Sequence, residues 1–264
     1  MLKILTFAVQ TIEYMFLSMT QLLRSTTKIV LLLLLTFSAS AQDTAFGIKG
    51  GPLLGVQQWN NFQQDVLISY HGIVFVETVE EDDAFNLFAQ AGYHVRGSAL
   101  RNRQAFNFNG DIFSVPTQNF EFRNVSLTFG GKQKKPLGLS NNKYYYGFGV
   151  RGEYTINTNL KEYEAANSAL SFSYYPTDFF VRKFNYGMYF AGGLEFPFSD
   201  LVGGLLEVSV NPDFSKQYEQ PELGNIIDPF RPGQTRTIGE RSIRNVSFEI
   251  TLGIRFIRRV IVLD

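Results

Sequence analysis

His71 and His94 are the only imidazoles in the chain, and histidine is the side chain best suited to proton transfer near neutral pH. Asp82 and Asp83 stand midway between them. If the flanking segments form a hairpin around those aspartates, facing residue numbers sum to about 165, which brings the two histidines together. Ser69, Gln90, Arg96 and Ser98 fall nearby. Such a set could form a metal or acid/base site, or a lipid-modifying hydrolase with Ser98, His94 and a glutamate. It also reads as a satisfied polar cluster, and no sequence-local nucleophile motif surrounds a serine. No catalytic residue, metal or cofactor is therefore assigned, and the chain is expected not to be an enzyme.

A second set is charged. Glu195, Glu207 and Glu249 occupy equivalent places in successive alternating segments and could be read as a cation site. Basic residues on the same faces favour a salt-bridged interior instead. The expected polar network comprises Lys49, His71, His94, Arg96, Arg151, Glu153, Glu195, Glu207, Glu249 and Arg255.

The elements that would position these residues are strands, because period-two alternation recurs in segments separated by turn-rich stretches. Eight are expected, near 44–56, 66–79, 85–99, 119–133, 143–158, 183–197, 202–215 and 241–258. In the fifth, Tyr144, Tyr146, Phe148 and Val150 oppose Gly147, Gly149, Arg151 and Glu153. A half-buried soluble sheet would also alternate, so an energy argument must choose the faces. In a membrane, turning Lys49, Arg96, Arg151 and Arg255 toward lipid would cost roughly 2–4 kcal/mol each near the midplane. The charged face therefore points inward, together with Glu77, and opposite charges there can offset one another's desolvation. Strand four breaks parity: placing Glu121 and Arg123 on the same face as Asn124, Ser126 and Thr128 calls for a bulge near Arg123-Asn124.

Connections after strands two, four and six are short, whereas those after three, five and seven are long, which is the outer-membrane pattern. The fold class expected is all-β: a closed, antiparallel, up-and-down transmembrane β-barrel of about eight strands, just wide enough for side chains to fill. Short turns then lie in the periplasm and long loops outside. The loops Asn211–Glu240 and Lys161–Tyr175 could each be a binding surface or a rigid cap.

The ends and composition agree with export. Arg24 and Lys28, the apolar run Ile29–Phe37 and Ala39-Ser40-Ala41 form a secretory signal, so residues 1–41 are read as a signal peptide with cleavage before Gln42. Met15 and Met19 are alternative starts. Residues 42–264 form the barrel domain. No later segment approaches the roughly 20 apolar residues of a membrane helix. The chain has no cysteine, which excludes disulfides and a cysteine-linked lipid anchor. With 24 basic and 24 acidic residues it has no net field to attract nucleic acid. Its 26 Phe, 13 Tyr and 23 Gly suit aromatic girdles on a barrel exterior.

The opening Phe46-Gly47-Ile48-Lys49-Gly50-Gly51 and closing Glu249-Ile250-Thr251-Leu252-Gly253-Ile254-Arg255-Phe256 resemble the PorT-like outer-membrane β-barrel family of Gram-negative bacteria. The resemblance implies insertion by the barrel-assembly machinery and no shared catalytic site. One departure is that Phe256 is not terminal: either the last strand runs on or a tail follows. The expected function is a plugged barrel in the cell outer membrane, in contact with its lipid, with a structural role or an envelope protein docked on its long loops. A membrane-embedded lipid-modifying hydrolase and a soluble secreted lipid-binding barrel are the alternatives.

Overall fold

Alternating segments become strands because a pleated backbone sends successive side chains to opposite faces. The computed structural model describes residues 43–60, 64–79, 85–106, 111–138, 141–169, 175–228, 231 and 233–259. The expected signal segment, with the expected cleavage position and both alternative starts, the expected turn 80–84, Leu170, Phe172, Tyr174, Pro229, Phe230, Pro232 and the residues from 260 lie outside them.

The strands are β1 (Asp43–Trp59), β2 (Asp65–Val79), β3 (Phe85–Leu100), β4 (Gln104–Phe106), β5 (Ile112–Ser114), β6 (Gln118–Pro136), β7 (Lys143–Thr158), β8 (Phe184–Pro197), β9 (Val202–Pro212), β10 (Tyr218–Gln220), β11 (Leu223–Ile227), β12 (Thr235–Ile238) and β13 (Arg241–Arg258). The long ones follow the order β1-β2-β3-β6-β7-β8-β9-β13, and β1 also pairs with β13, so the sheet joins its own ends. From β2 round to β13 every pair is antiparallel. This is an eight-stranded, up-and-down antiparallel barrel, and closure removes the free edges of the sheet.

The facing is inverted relative to a soluble globule. Ile48, Ile68, Val150, Phe184 and Leu252 are exposed, whereas Lys49, Glu77, Arg96, Glu207 and Glu249 are buried. A soluble barrel with an apolar ligand cavity needs the opposite facing. The last strand continues past Phe256 to Arg258.

Two irregularities depart from the expected pattern. β6 keeps its parity through Phe120, Phe122, Asn124, Ser126 and Thr128, all buried. The extra residue belongs to its partner: Arg123 faces Asn157 while Asn124 faces Thr155, so β7 is the strand that bulges. Glu121 and Arg123 consequently point outward and pair with each other at 3.6 Å. Their inward placement failed because the inner face here is apolar. Strand seven also stops at Pro212 rather than at 215; the chain then folds in over the lumen and pairs with β13 as β10.

At the long-loop end, Leu100, Phe120, Phe122, Leu160, Tyr218 and Ile243 form an apolar cluster. Trp59, Tyr163, Tyr175, Phe180 and Val181 pack against it. Tyr163 and Tyr175 belong to one expected loop, which Leu160 immediately precedes, and Tyr218 to the other, so these described parts cap the barrel. The short α1 (Glu164–Ala169) sits within that first loop.

Candidate functional site in the barrel interior

All ten residues expected in the polar network are buried, apart from any role, inside the barrel. Beneath the cap the interior is polar and layered. Its buried charged residues are Lys49, Arg96, Lys132, Lys134, Arg151 and Arg255 against Glu77, Glu153, Glu195, Glu207, Asp213 and Glu249. Six cations thus face six carboxylates, which is the condition for burying so many charges at tolerable cost.

At the short-turn end, Glu77 accepts hydrogen bonds from Lys132 at 3.0 Å and Lys134 at 2.9 Å. Arg255 bridges Glu77 to Glu195, and Lys134 also reaches Glu195 at 3.1 Å. In the next layer Glu207 accepts from Lys49 at 2.7 Å, from the Tyr145 hydroxyl at 2.7 Å and from the Tyr189 hydroxyl at 2.6 Å. The Lys132 ammonium lies 4.7 Å from the centre of the Tyr145 ring, so aromatic faces supply part of its solvation.

The third layer contains the histidines. His71 faces His94 across the β2·β3 pairing, as the sum near 165 requires. His94 Nδ1 lies 2.9 Å from Glu249 Oε1, and its Nε2 lies 2.9 Å from Ser126 Oγ. A carboxylate can only accept, so Nδ1 carries the proton; in the neutral ring Nε2 then accepts from the Ser126 hydroxyl. His71 Nε2 is 3.0 Å from Thr251 Oγ1, while its Nδ1 is buried without a hydrogen-bond partner among the described residues.

Above them, Arg96 pairs with Glu153 at 3.0 Å and Asp213 at 3.3 Å, and Arg151 pairs with the same two carboxylates. Asn245 links this layer to the infolded segment. Its amide donates to Asp213 at 3.1 Å and Gln217 at 2.8 Å, and its oxygen accepts from Gln57 at 2.9 Å.

The structure thus separates some residues the sequence grouped. Ser98 donates to Gln57 at 2.7 Å, while the serine bonded to His94 is Ser126. Ser69 bonds the Val95 carbonyl. Glu195, Glu207 and Glu249 do not converge, because each is held by a different base or pair of bases. Among the described residues, no group of three or more His, Asp or Glu side chains is placed to hold a metal ion.

Three important interior charges escaped sequence reading. Lys132 and Lys134 could have been found by extending the parity of Asn124, Ser126 and Thr128 along β6. Asp213 shares the inward parity of Glu207 in the expected strand 202–215, but it stands after Pro212, where the regular pairing ends.

Ser126, His94 and Glu249 have the connectivity of an acyl-transfer relay. Their exposures of 2%, 3% and 1% leave the hydroxyl sealed between the barrel wall and its neighbours. What the arrangement does in the described state is satisfy buried polar groups.

The molecule is therefore an eight-stranded barrel with a charged interior and an apolar exterior. It is similar in architecture to Neisserial surface protein A, at 10% identity and a TM-score of 0.43 over 81% of this chain and 96% of that one. It is similar also to the outer membrane protein OprG from Pseudomonas aeruginosa, at 11% identity and a TM-score of 0.47 over 83% and 97% of the respective chains. The attachment invasion locus protein Ail of Yersinia pestis aligns at 8% identity and a TM-score of 0.35 over 81% and 99%. No protein-family model matches the sequence, and no curated protein matches it.

Proposed function

We propose that this chain is an outer-membrane β-barrel with a filled lumen, serving the cell envelope as a structural or partner-docking protein without catalysis. The observation that carries this reading is the inverted facing: Leu252 is 67% and Ile68 66% exposed, while Arg96 is fully buried. Apolar surface at this scale is unfavourable in water and favourable in hydrocarbon. The resemblance of the first and last strands to the PorT-like family would imply insertion by the barrel-assembly machinery.

A partner would meet the long-loop side. There the β4·β5 and β11·β12 hairpins form small sheets separate from the barrel sheet and present Ile112, Phe113 and Ile227 to the surroundings. Such loops on a rigid scaffold are common recognition elements. The test combines cell fractionation, a heat-dependent gel shift, bilayer conductance and crosslinking in intact cells. The proposal expects a heat-modifiable outer-membrane species, no discrete conductance steps and a reproducible envelope protein neighbour. A soluble species or a steady channel would contradict it.

The relay geometry gives the hydrolase alternative one specific foothold. A fluorophosphonate probe decides it: the structural reading expects Ser126 to remain unlabelled in the folded barrel, and stoichiometric labelling would favour the enzyme.

A further inference from the structure

The apolar exterior is not uniform. At the seam where β13 meets β1, and across to β2, a groove of 620 Å³ opens on the outer face. Ile48, Val74, Leu252 and Ile254 form its walls, and Gly50 and Gly72 its floor. The walls stand 62%, 57%, 67% and 44% exposed, so they rise beside a floor that ends at the backbone.

The two glycines are not equivalent. A Cβ on Gly50 would come within 2.8 Å of the His71 carbonyl oxygen, so that position must stay bare for β1 and β2 to approach. A Cβ on Gly72 would meet nothing within 4 Å. Gly72 is thus bare without any demand from the barrel's own packing, and its missing side chain is what leaves the groove open.

We infer that this groove holds one acyl chain of a membrane lipid. The inference rests on the outer-membrane reading, because the groove is continuous with the apolar exterior that reading places in lipid. Its projecting side chains offer only hydrocarbon, because Lys49, which also lines it, turns its ammonium inward to Glu207; this suits a chain and provides nothing to orient a headgroup. A chain seated there gains contact on several sides, whereas one on the convex surface elsewhere touches only one side.

The test reconstitutes wild type, Gly72→Phe and Gly152→Phe into phosphatidylethanolamine vesicles doped with a phosphatidylethanolamine carrying a diazirine on its acyl chain. Gly152 lies on the outward face of β7, where a Cβ would meet only Phe184 at 3.9 Å, so it is a matched control. After photolysis, labelled residues are mapped by mass spectrometry. The inference expects labelling of Ile48, Val74, Leu252 and Ile254 several-fold above that of Phe148 and Val150. Gly72→Phe should remove that excess and Gly152→Phe should leave it.

Even labelling around the wild-type barrel would overturn the inference, as would an excess that survives Gly72→Phe, or protein-to-protein crosslinks at the groove in place of lipid. The wild-type distribution decides the matter if a variant fails to fold. A heat-dependent gel shift on each sample separates failure of the groove from failure of membrane insertion.

Discussion

The rings of His71 and His94 lie in parallel across the β2·β3 pairing, with centroids 5.7 Å apart and planes 7° from parallel. Among the described residues His94 makes the shortest hydrogen bond to Glu249, at 2.9 Å, with Ser209 donating at 3.4 Å; the nearest His71 nitrogen is 4.0 Å from that carboxylate. Arg96 approaches the same group no closer than 3.9 Å. Glu249 therefore depends chiefly on His94.

Replacing His94 with alanine should accordingly cost about 3–5 kcal/mol, the scale for stripping one partner from a buried charge. His71→Ala should cost less, about 1–3 kcal/mol, because Thr251 loses a neutral hydrogen bond. Urea unfolding of the barrel in micelles measures both, and equal losses would refute the asymmetry.

Glu207 gathers three donors, so Glu207→Gln should leave the Lys49 ammonium without its carboxylate and destabilise the barrel by about 3–5 kcal/mol. Conductance should remain absent. A variant of unchanged stability that passes ions would instead assign Glu207 to a gate.

Gly97 sits where β2 and β3 change register between Val66 and His71. Its φ is 156°, and a Cβ there would lie 1.9 Å from the Phe120 carbonyl oxygen. Backbone cannot yield as a side chain can, so Gly97→Ala should cost about 1–3 kcal/mol and reduce the folded fraction on gels. Gly152→Ala should change stability by no more than about 0.5 kcal/mol.

In the outer loop, the hydrogen bond from Lys216 holds the Glu219 carboxyl below the ordinary carboxylate range, and Arg182 adds to it. A depressed folded value means the stabilisation is present above the unfolded value and lost as pH falls through the folded one. The protection of amides in 213–220, measured against their intrinsic exchange rate at each pH, should therefore fall as pH drops below the usual carboxylate range. Glu219→Gln should exchange faster at neutral pH and lose that part of the acid response.

Strand parity made the barrel and its polar lining legible: the hairpin centred on Asp82 and Asp83 places His71 opposite His94, and a period of two puts Arg151 and Glu153 inside. The apolar cap was not legible, because Phe120 and Phe122 look like outward residues once every aromatic is assigned to lipid. Asp213 was hidden for a different reason. It shares the parity of Glu207 in the expected strand, but the regular ladder ends at Pro212, and the partners that hold 213–217 in the lumen, Arg96, Arg151, Thr155 and Asn245, are brought there by long-range packing. Ser126 stood on the expected inner face, yet which serine reaches His94 depends on the β3·β6 register, and that is set by long-range pairing.

The central claim is that the outward faces of the strands meet lipid. A chain with no cysteine allows single nitroxide labels without background substitutions. Labels at Val150→Cys, Ile250→Cys and, in a loop hairpin, Ile227→Cys should be compared in vesicles for collision with oxygen and with a water-soluble nickel chelate. The account predicts that the two strand positions favour oxygen and the loop position favours the chelate. Strand positions as open to the chelate as Ile227 would contradict it.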